Sequence, residues 1–454
     1  MSTATLAAIR FGTGLSPRLA PPAGAEALLA GLAGQDLAAA QFPVPGLTAL
    51  WPLIAEYGDA RRANRTGDAG GAARFKASKA AIRDMFAAGV RARLMRGALA
   101  ADGFRERLTW FWADHFTVRA TSLRYLPGPA TYVEEAIRPH VGARFSNMLR
   151  AAAIHPVMLS YLDQDSSIGP QSRAGQRADG GLNENLAREI LELHTLGVGA
   201  TFTQTDVTEF AELLTGLTFT VKDGFRFRPR WAEPGAEYVL GSRYGGDGPA
   251  RRQDIFEALD DIAHMPETAA HLARKLAVHF ISDTPDPDLV KQMTEAYLAH
   301  DTDLMPVYAA MLAHPSAWGP PGGKARQPFE FVTAALRALG TEEVRLATLS
   351  NGELTRLVLR PLARMGQPYE KPPGPNGWPE AAEAWITPPA LAERIGWAMN
   401  VKALHDGPMQ EPADFVADAL GDLASADLAQ AVRMAESKRA GLGLVLASPA
   451  FNRR

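Results

Sequence analysis

Apolar residues recur at intervals of three and four along most of the chain, the spacing that lines one face of an α-helix. The pattern predicts helices over residues 25–39, 76–98, 102–116, 131–141, 145–153, 183–197, 204–217, 253–263, 267–280 and 287–299, with more beyond. One stretch departs from it. In LTFTVKDGFRFRPRW, β-branched and aromatic residues flank Asp223 and Gly224, a pair suited to a tight turn. The expected fold is therefore all-α, with a small β-hairpin insertion near residues 217–240. Two segments, 59–71 and 164–181, offer little apolar surface to bury and are expected to be mobile. The second directly precedes the 183–197 helix, where a lid is the alternative to disorder.

A chain of 454 residues exceeds what one hydrophobic core commonly fills. The glycine-rich run YGGDGPA marks the expected boundary, with an N-terminal helical part over 1–245 that carries the candidate site and a C-terminal helical part over 246–454, one compact unit being the alternative. A hydrophobic share of 46% with 21% charged residues suits a globular protein. The net charge of −3 supplies no electrostatic footprint for nucleic acid. No cysteine is present, which excludes disulfides, zinc-thiolate sites, cysteine-ligated clusters and cysteine nucleophiles. The uncharged stretch 37–55 is interrupted by Pro43, Pro45, Gly46 and Pro52, so no transmembrane segment is expected. The first residues place Arg10 inside a short apolar run and show no secretory leader, from which a cytoplasmic location is expected.

Candidate chemistry concentrates in NENLAREILELHTLG, residues 183–197. Asn183 suits an N-cap, Glu184 the positive end of the helix dipole, and Gly197 a C-terminal stop. Residues set about 100° apart put Leu186, Ala187, Ile190 and Leu193 on one side, and Glu184, Asn185, Arg188, Glu189, Glu192 and Thr195 on the other. Glu189 and Glu192, at i and i+3, aim at one point, where they could divide acid and base roles or hold a divalent cation. Asn183, Asn185 and Arg188 are the substrate-binding candidates beside them. A plain solvated face with a Glu184–Arg188 ion pair is the blander alternative.

His194 falls on the apolar side of the same wheel. The segment LTWFWADHFTVR sets His115 among aromatic residues, so the two histidines are candidates to meet in the interior, as proton carriers, as ligands of a transition metal or haem, or simply as bonded core residues. Trp110 from the same segment is a further substrate-binding candidate. Asp261–His264 and Glu267–His271 have helical spacing and read as surface pairs. No H-E-x-x-H, G-x-S-x-G, G-x-G-x-x-G or P-loop occurs; GPPGGK at 319–324 has the wrong spacing and no following hydroxyl.

Nine segments carry a family resemblance: LAAIRFGTGLSP, RLTWFWADHFTV, HPVMLSYLDQDSSIG, GLNENLAREILELHTLGVGATFTQTDVTEFAELLTG, FRFRPRWAEPG, ARKLAVHFISDTPDPDLV, KARQPFEFV, PPGPNGWPEAAEAWITPPALAERI and LASPAFNRR. In this order they resemble the bacterial family called domain of unknown function 1800. The resemblance implies a signature over 183–197, and an association of relatives with export and with a sulfatase-like companion protein as partner; export with such a partner is the alternative to a cytoplasmic location. It assigns no activity. The readings left open are an enzyme of hydrolase or lyase type using Glu189, Glu192, His115 and His194, a non-catalytic binding or assembly partner, and a histidine-ligated metal or haem protein. No cofactor is specified, a divalent metal being one option.

Overall fold

The computed structural model describes residues 2–177, 181–320 and 322–454. Helices dominate, and the predicted periodic segments appear as Ala25–Ala33, Gly71–Leu99, Gly103–His115, Phe145–Ile154, Gln204–Leu213, Arg252–Ala263, Pro266–Phe280 and Pro287–Ala299. Asp102 caps the Gly103–His115 helix by accepting from Arg105 N at 2.9 Å, and Thr203 with Asp206 forms a capping box on Gln204–Leu213. The expected hairpin is present as β1 (Leu217–Thr220) and β2 (Gly224–Phe227), antiparallel, with Leu217 opposite Phe227. A second antiparallel pair follows it, β3 (Gly235–Val239) and β4 (Ser242–Gly246). β3 packs on the Gln204–Leu213 helix.

Both segments expected to be mobile have defined structure. Residues 59–66 complete the helix Leu47–Thr66, because Ala and Arg are strong helix formers even without an apolar stripe. Gly67 and Gly70, both at φ 77°, turn the chain back so that Gly71–Leu99 packs against it, and Arg74 grips Glu56 with two bonds of 2.6 Å. The segment from 164 is held by backbone bonds to the β2–β3 connection, Gly169 N to Trp231 O at 2.8 Å and Ala174 N to Arg230 O at 3.0 Å. Its residues 178–180 lie outside the described residues. The 37–55 stretch divides between Leu37–Gln41 and Leu47–Thr66, and no helix among the described residues is long and apolar enough to cross a membrane.

Buried apolar side chains gather in two main clusters. One runs from Ala7 to Ala317 and includes Phe104, Trp112, Phe116, Leu191 and Phe280. The other joins Val90, Leu94 and Ala98 to residues from Phe329 to Phe451. The Gly71–Leu99 and Gly103–His115 helices each contribute apolar side chains to both clusters or pack against them.

Candidate functional site

The helix expected over 183–197 is α-helical over Asn185–Glu189 and continues as a π-turn, Ile190–His194. Asn183 holds its start: Oδ1 accepts from Asn185 N at 2.8 Å while Nδ2 donates to the carbonyls of Leu162 and Asp163, both at 3.3 Å. Arg188 donates to Glu184 at 3.0 Å and to Gln204 at 3.1 Å. Glu184 also accepts from Thr208 at 2.8 Å and Gln204 at 2.9 Å, bonds that hold its carboxyl below the usual range. This half of the polar face thus ties the helix to Gln204–Leu213. Asn185 is exposed; Glu189 is half-buried, and burial, then the neighbouring Glu192, pushes its carboxyl up. Thr195, placed on the polar face by a straight wheel, is buried and donates to Ile190 O at 2.6 Å, five residues back. The π-turn ends at His194 and Thr195 has already left helical geometry, with φ −131° and ψ −90°, so a continuous wheel does not place it.

His115 and His194 do meet, with ring centroids 6.0 Å apart. Their hydrogen bond is not ring to ring. His115 Nε2 lies 3.0 Å from the His194 carbonyl oxygen; a carbonyl only accepts, so Nε2 carries the hydrogen and the buried Nδ1 keeps a lone pair without a partner. His271, read from sequence as half of a surface pair, joins them instead, 6.3 Å from His115 and bonded through Nε2 to Leu193 O at 3.2 Å. Burial, then the nearby positive charge of Lys275, holds His194 down to about 3 and His271 down to about 4, and keeps His115 well below its ordinary value. All three are neutral imidazoles near neutral pH. Among the described residues, neither these histidines nor Glu189 and Glu192 belong to a group of three or more donors within 4.8 Å of one another, whereas Glu209, Glu212 and Glu237 do.

The opposite face of the Gly103–His115 helix borders a cleft enclosing about 840 Å³, counting the part open to solvent. Trp110 and Asp114, one turn apart, form one wall; Phe329, Tyr369 and Trp378 supply other aromatic surfaces. Asp114 accepts from Trp378 N through both oxygens, at 3.0 and 3.1 Å. The approach requires glycine at 377, since a Cβ there would lie 2.7 Å from both Asp114 carboxylate oxygens. Burial pushes the Asp114 carboxyl up to about 7, with Glu380 adding to the shift and the Trp378 N–H and Lys275 opposing it. None of Asn183, Asn185, Arg188, Glu189 and Glu192 lines this cleft, whereas Trp110 does.

A buried ionic network adjoins the cleft, and two of its members, His279 and Glu330, line it. Arg107 donates to Glu330 at 3.0 Å and approaches His279 Nε2 at 3.1 Å. A guanidinium has only donors, so His279 Nε2 accepts and Nδ1 carries the hydrogen, donated to Glu380 at 2.6 Å. Glu380 also pairs with Lys324 at 3.3 Å, and Lys324 with Asp283. Arg454 closes the network, donating to Glu330 at 3.1 Å and to His279 O at 2.8 Å. On the far wall Arg93 pairs with Glu370 at 2.7 Å and lies over the Tyr369 ring. Glu370 has φ 52°, a costly conformation for a residue with a side chain.

Fold and site together define a mainly helical protein with a buried ionic centre beside an aromatic-walled cleft. The family profile described as "Protein of unknown function (DUF1800)" matches residues 7–453, nearly the whole chain, and the chain belongs to that family. No curated protein and no solved structure matches it.

Proposed function

We propose that this protein is an enzyme performing acid–base chemistry in the cleft, of hydrolase or lyase type, with Asp114 as the proton-transfer group. The observation that carries the reading is Asp114 itself, a carboxyl on the cleft wall held up to about 7 by burial. A group titrating near the working pH offers both acid and base forms, which suits proton transfer. The ionic network then has a positioning role. Glu380 lies two residues beyond Trp378, whose N–H grips Asp114, and its bonds to His279 and Lys324 anchor that loop.

The reading is tested by screening the protein and Asp114→Asn against chromogenic esters, glycosides and phosphates across pH 5–9. Turnover in the parent chain with a pH limb near 7, reduced by roughly 10²-fold or more in Asp114→Asn at unchanged thermal stability, is the expected result. Equal turnover by both proteins, or an Asp114 carboxyl that titrates by NMR in the ordinary carboxylate range, overturns it.

A further inference from the structure

We infer that the cleft takes a neutral, polyhydroxylated ring, a saccharide, as its substrate class; the inference rests on the acid–base reading above. The cleft's aromatic surfaces come first. Trp110, Phe329, Tyr369 and Trp378 line the cavity; the Arg93 guanidinium lies over Phe329 and Tyr369, so the ring surface offered to a ligand is that of Trp110 and Trp378. Flat rings of this kind suit a ligand with an apolar C–H face.

The polar groups decide between ligand classes. An anion would find no unpaired cation among the lining residues, since Arg93 is paired with Glu370, and the walls also carry the carboxyls of Asp114 and Glu330. A cation would find its place over Phe329 and Tyr369 taken, because the Arg93 guanidinium lies 5.4 Å from the Tyr369 centroid and 5.9 Å from that of Phe329. The fixed charges are largely cancelled inside the protein, Glu370 by Arg93 and Glu330 by Arg107 and Arg454. What remains on offer is a mixture of donors and acceptors. Gln367 Nε2 donates to Gln327 Oε1 at 2.7 Å, which points the Gln327 amide NH2 away from that bond, and Asp114 keeps lone pairs beyond those taken by the Trp378 N–H. Hydroxyl groups both donate and accept, and a ring that carries several around an apolar face matches this arrangement.

Cellobiose, maltose, lactose and diacetylchitobiose are the probes, titrated into the full chain and followed by tryptophan fluorescence, since Trp110 and Trp378 border the cleft, and by calorimetry. At least one is expected to saturate with Kd of order 1 mM or tighter. Trp110→Ala weakens that binding by about tenfold or more, and Trp110→Phe, which keeps an aromatic face, restores most of it. Absence of saturation by every probe overturns the inference, as does binding unaffected in a Trp110→Ala protein that retains its melting temperature. The two readings fail separately. If Asp114→Asn abolishes turnover of a non-saccharide and no sugar binds, the substrate class is wrong and the acid–base reading stands; if a sugar binds with the expected Trp110 dependence but Asp114→Asn changes no turnover, the ligand class holds and the enzyme reading falls.

Discussion

Glu330 shows how much one side chain carries in this interior. Burial alone would push its carboxyl up, yet Arg107 and Arg454 pull it below the ordinary range. Both guanidiniums are themselves buried, with side-chain exposures of 2% and 1%, and share this one carboxylate as their ion-pair partner. Removing it strands two charges away from water. Glu330→Gln is accordingly expected to lower folding stability by about 3–5 kcal/mol, the usual cost of breaking a buried pair from one side, read as a shift of the urea midpoint at constant slope. A loss under 1 kcal/mol would mean that water reaches both arginines. Little of this was legible beforehand. In sequence, Arg107, His279, Glu330, Glu380 and Arg454 are isolated polar residues on helices or loops, separated by up to 347 positions, and nothing in local spacing distinguishes them from surface charges. Trp110, His115 and His194 could be singled out because aromatic density and an apolar helix face are local signals. Even so, the pairing of His115 with a backbone carbonyl, and the entry of His271 from a third helix, depend on packing that no single helix encodes.

At the scale of elements, the three- and four-residue rhythm recovered most helices, and the Asp223–Gly224 turn recovered β1 and β2. The departures have two causes. The π-turn after Glu189 ends at His194 and leaves Thr195 outside helical geometry, so a continuous wheel misplaces it. The helix over 59–66 has no apolar stripe because it is exposed and gains its support from the neighbouring Gly71–Leu99 helix. That second helix also makes a tight approach beside the cleft. A Cβ at Gly97 would come within 2.6 Å of Thr333 Cγ2 and 3.1 Å of Trp110 Cζ2. In an open helix, replacing glycine by alanine gains up to about 1 kcal/mol; here overpacking costs about 1–3 kcal/mol, so the clash wins. Gly97→Ala is expected to be destabilising, with the indole of Trp110 displaced, visible as a changed fluorescence maximum. A stabilised variant would show that the Pro328–Ala338 helix can move aside freely.

Over the whole molecule, many short helices joined by irregular connections leave interior carbonyls to be satisfied from elsewhere. Buried arginines satisfy a number of them: Arg10 reaches the carbonyls of Ala317, Gly319 and Pro320, Arg337 those of Gly14 and Ala100, and Arg326 that of Phe451. An interior so rich in ionisable groups makes stability depend on pH with contributions of both signs. His115, His194 and His271 sit below their ordinary 6.5, so the unfolded chain binds protons that the folded chain refuses; their contribution is present above about pH 6.5 and lost as pH falls through about 4 and 3. Glu237 has the opposite sign. Burial, then Glu212 and Glu209, holds it up at about 8 against an ordinary 4.5, so the folded chain keeps a proton that the unfolded chain releases. That contribution is complete below pH 4.5 and lost as pH rises through about 8. Glu237→Gln mimics the protonated form. It should match the parent near pH 4.5 and become progressively more stable toward pH 8.5, by roughly 2 kcal/mol once solvent screening is allowed for. Melting temperatures of both proteins across that range give the difference directly, and a gap that does not widen with pH would mean that Glu237 titrates as an ordinary surface carboxylate, with Glu209 and Glu212 too far away in solution to hold its proton.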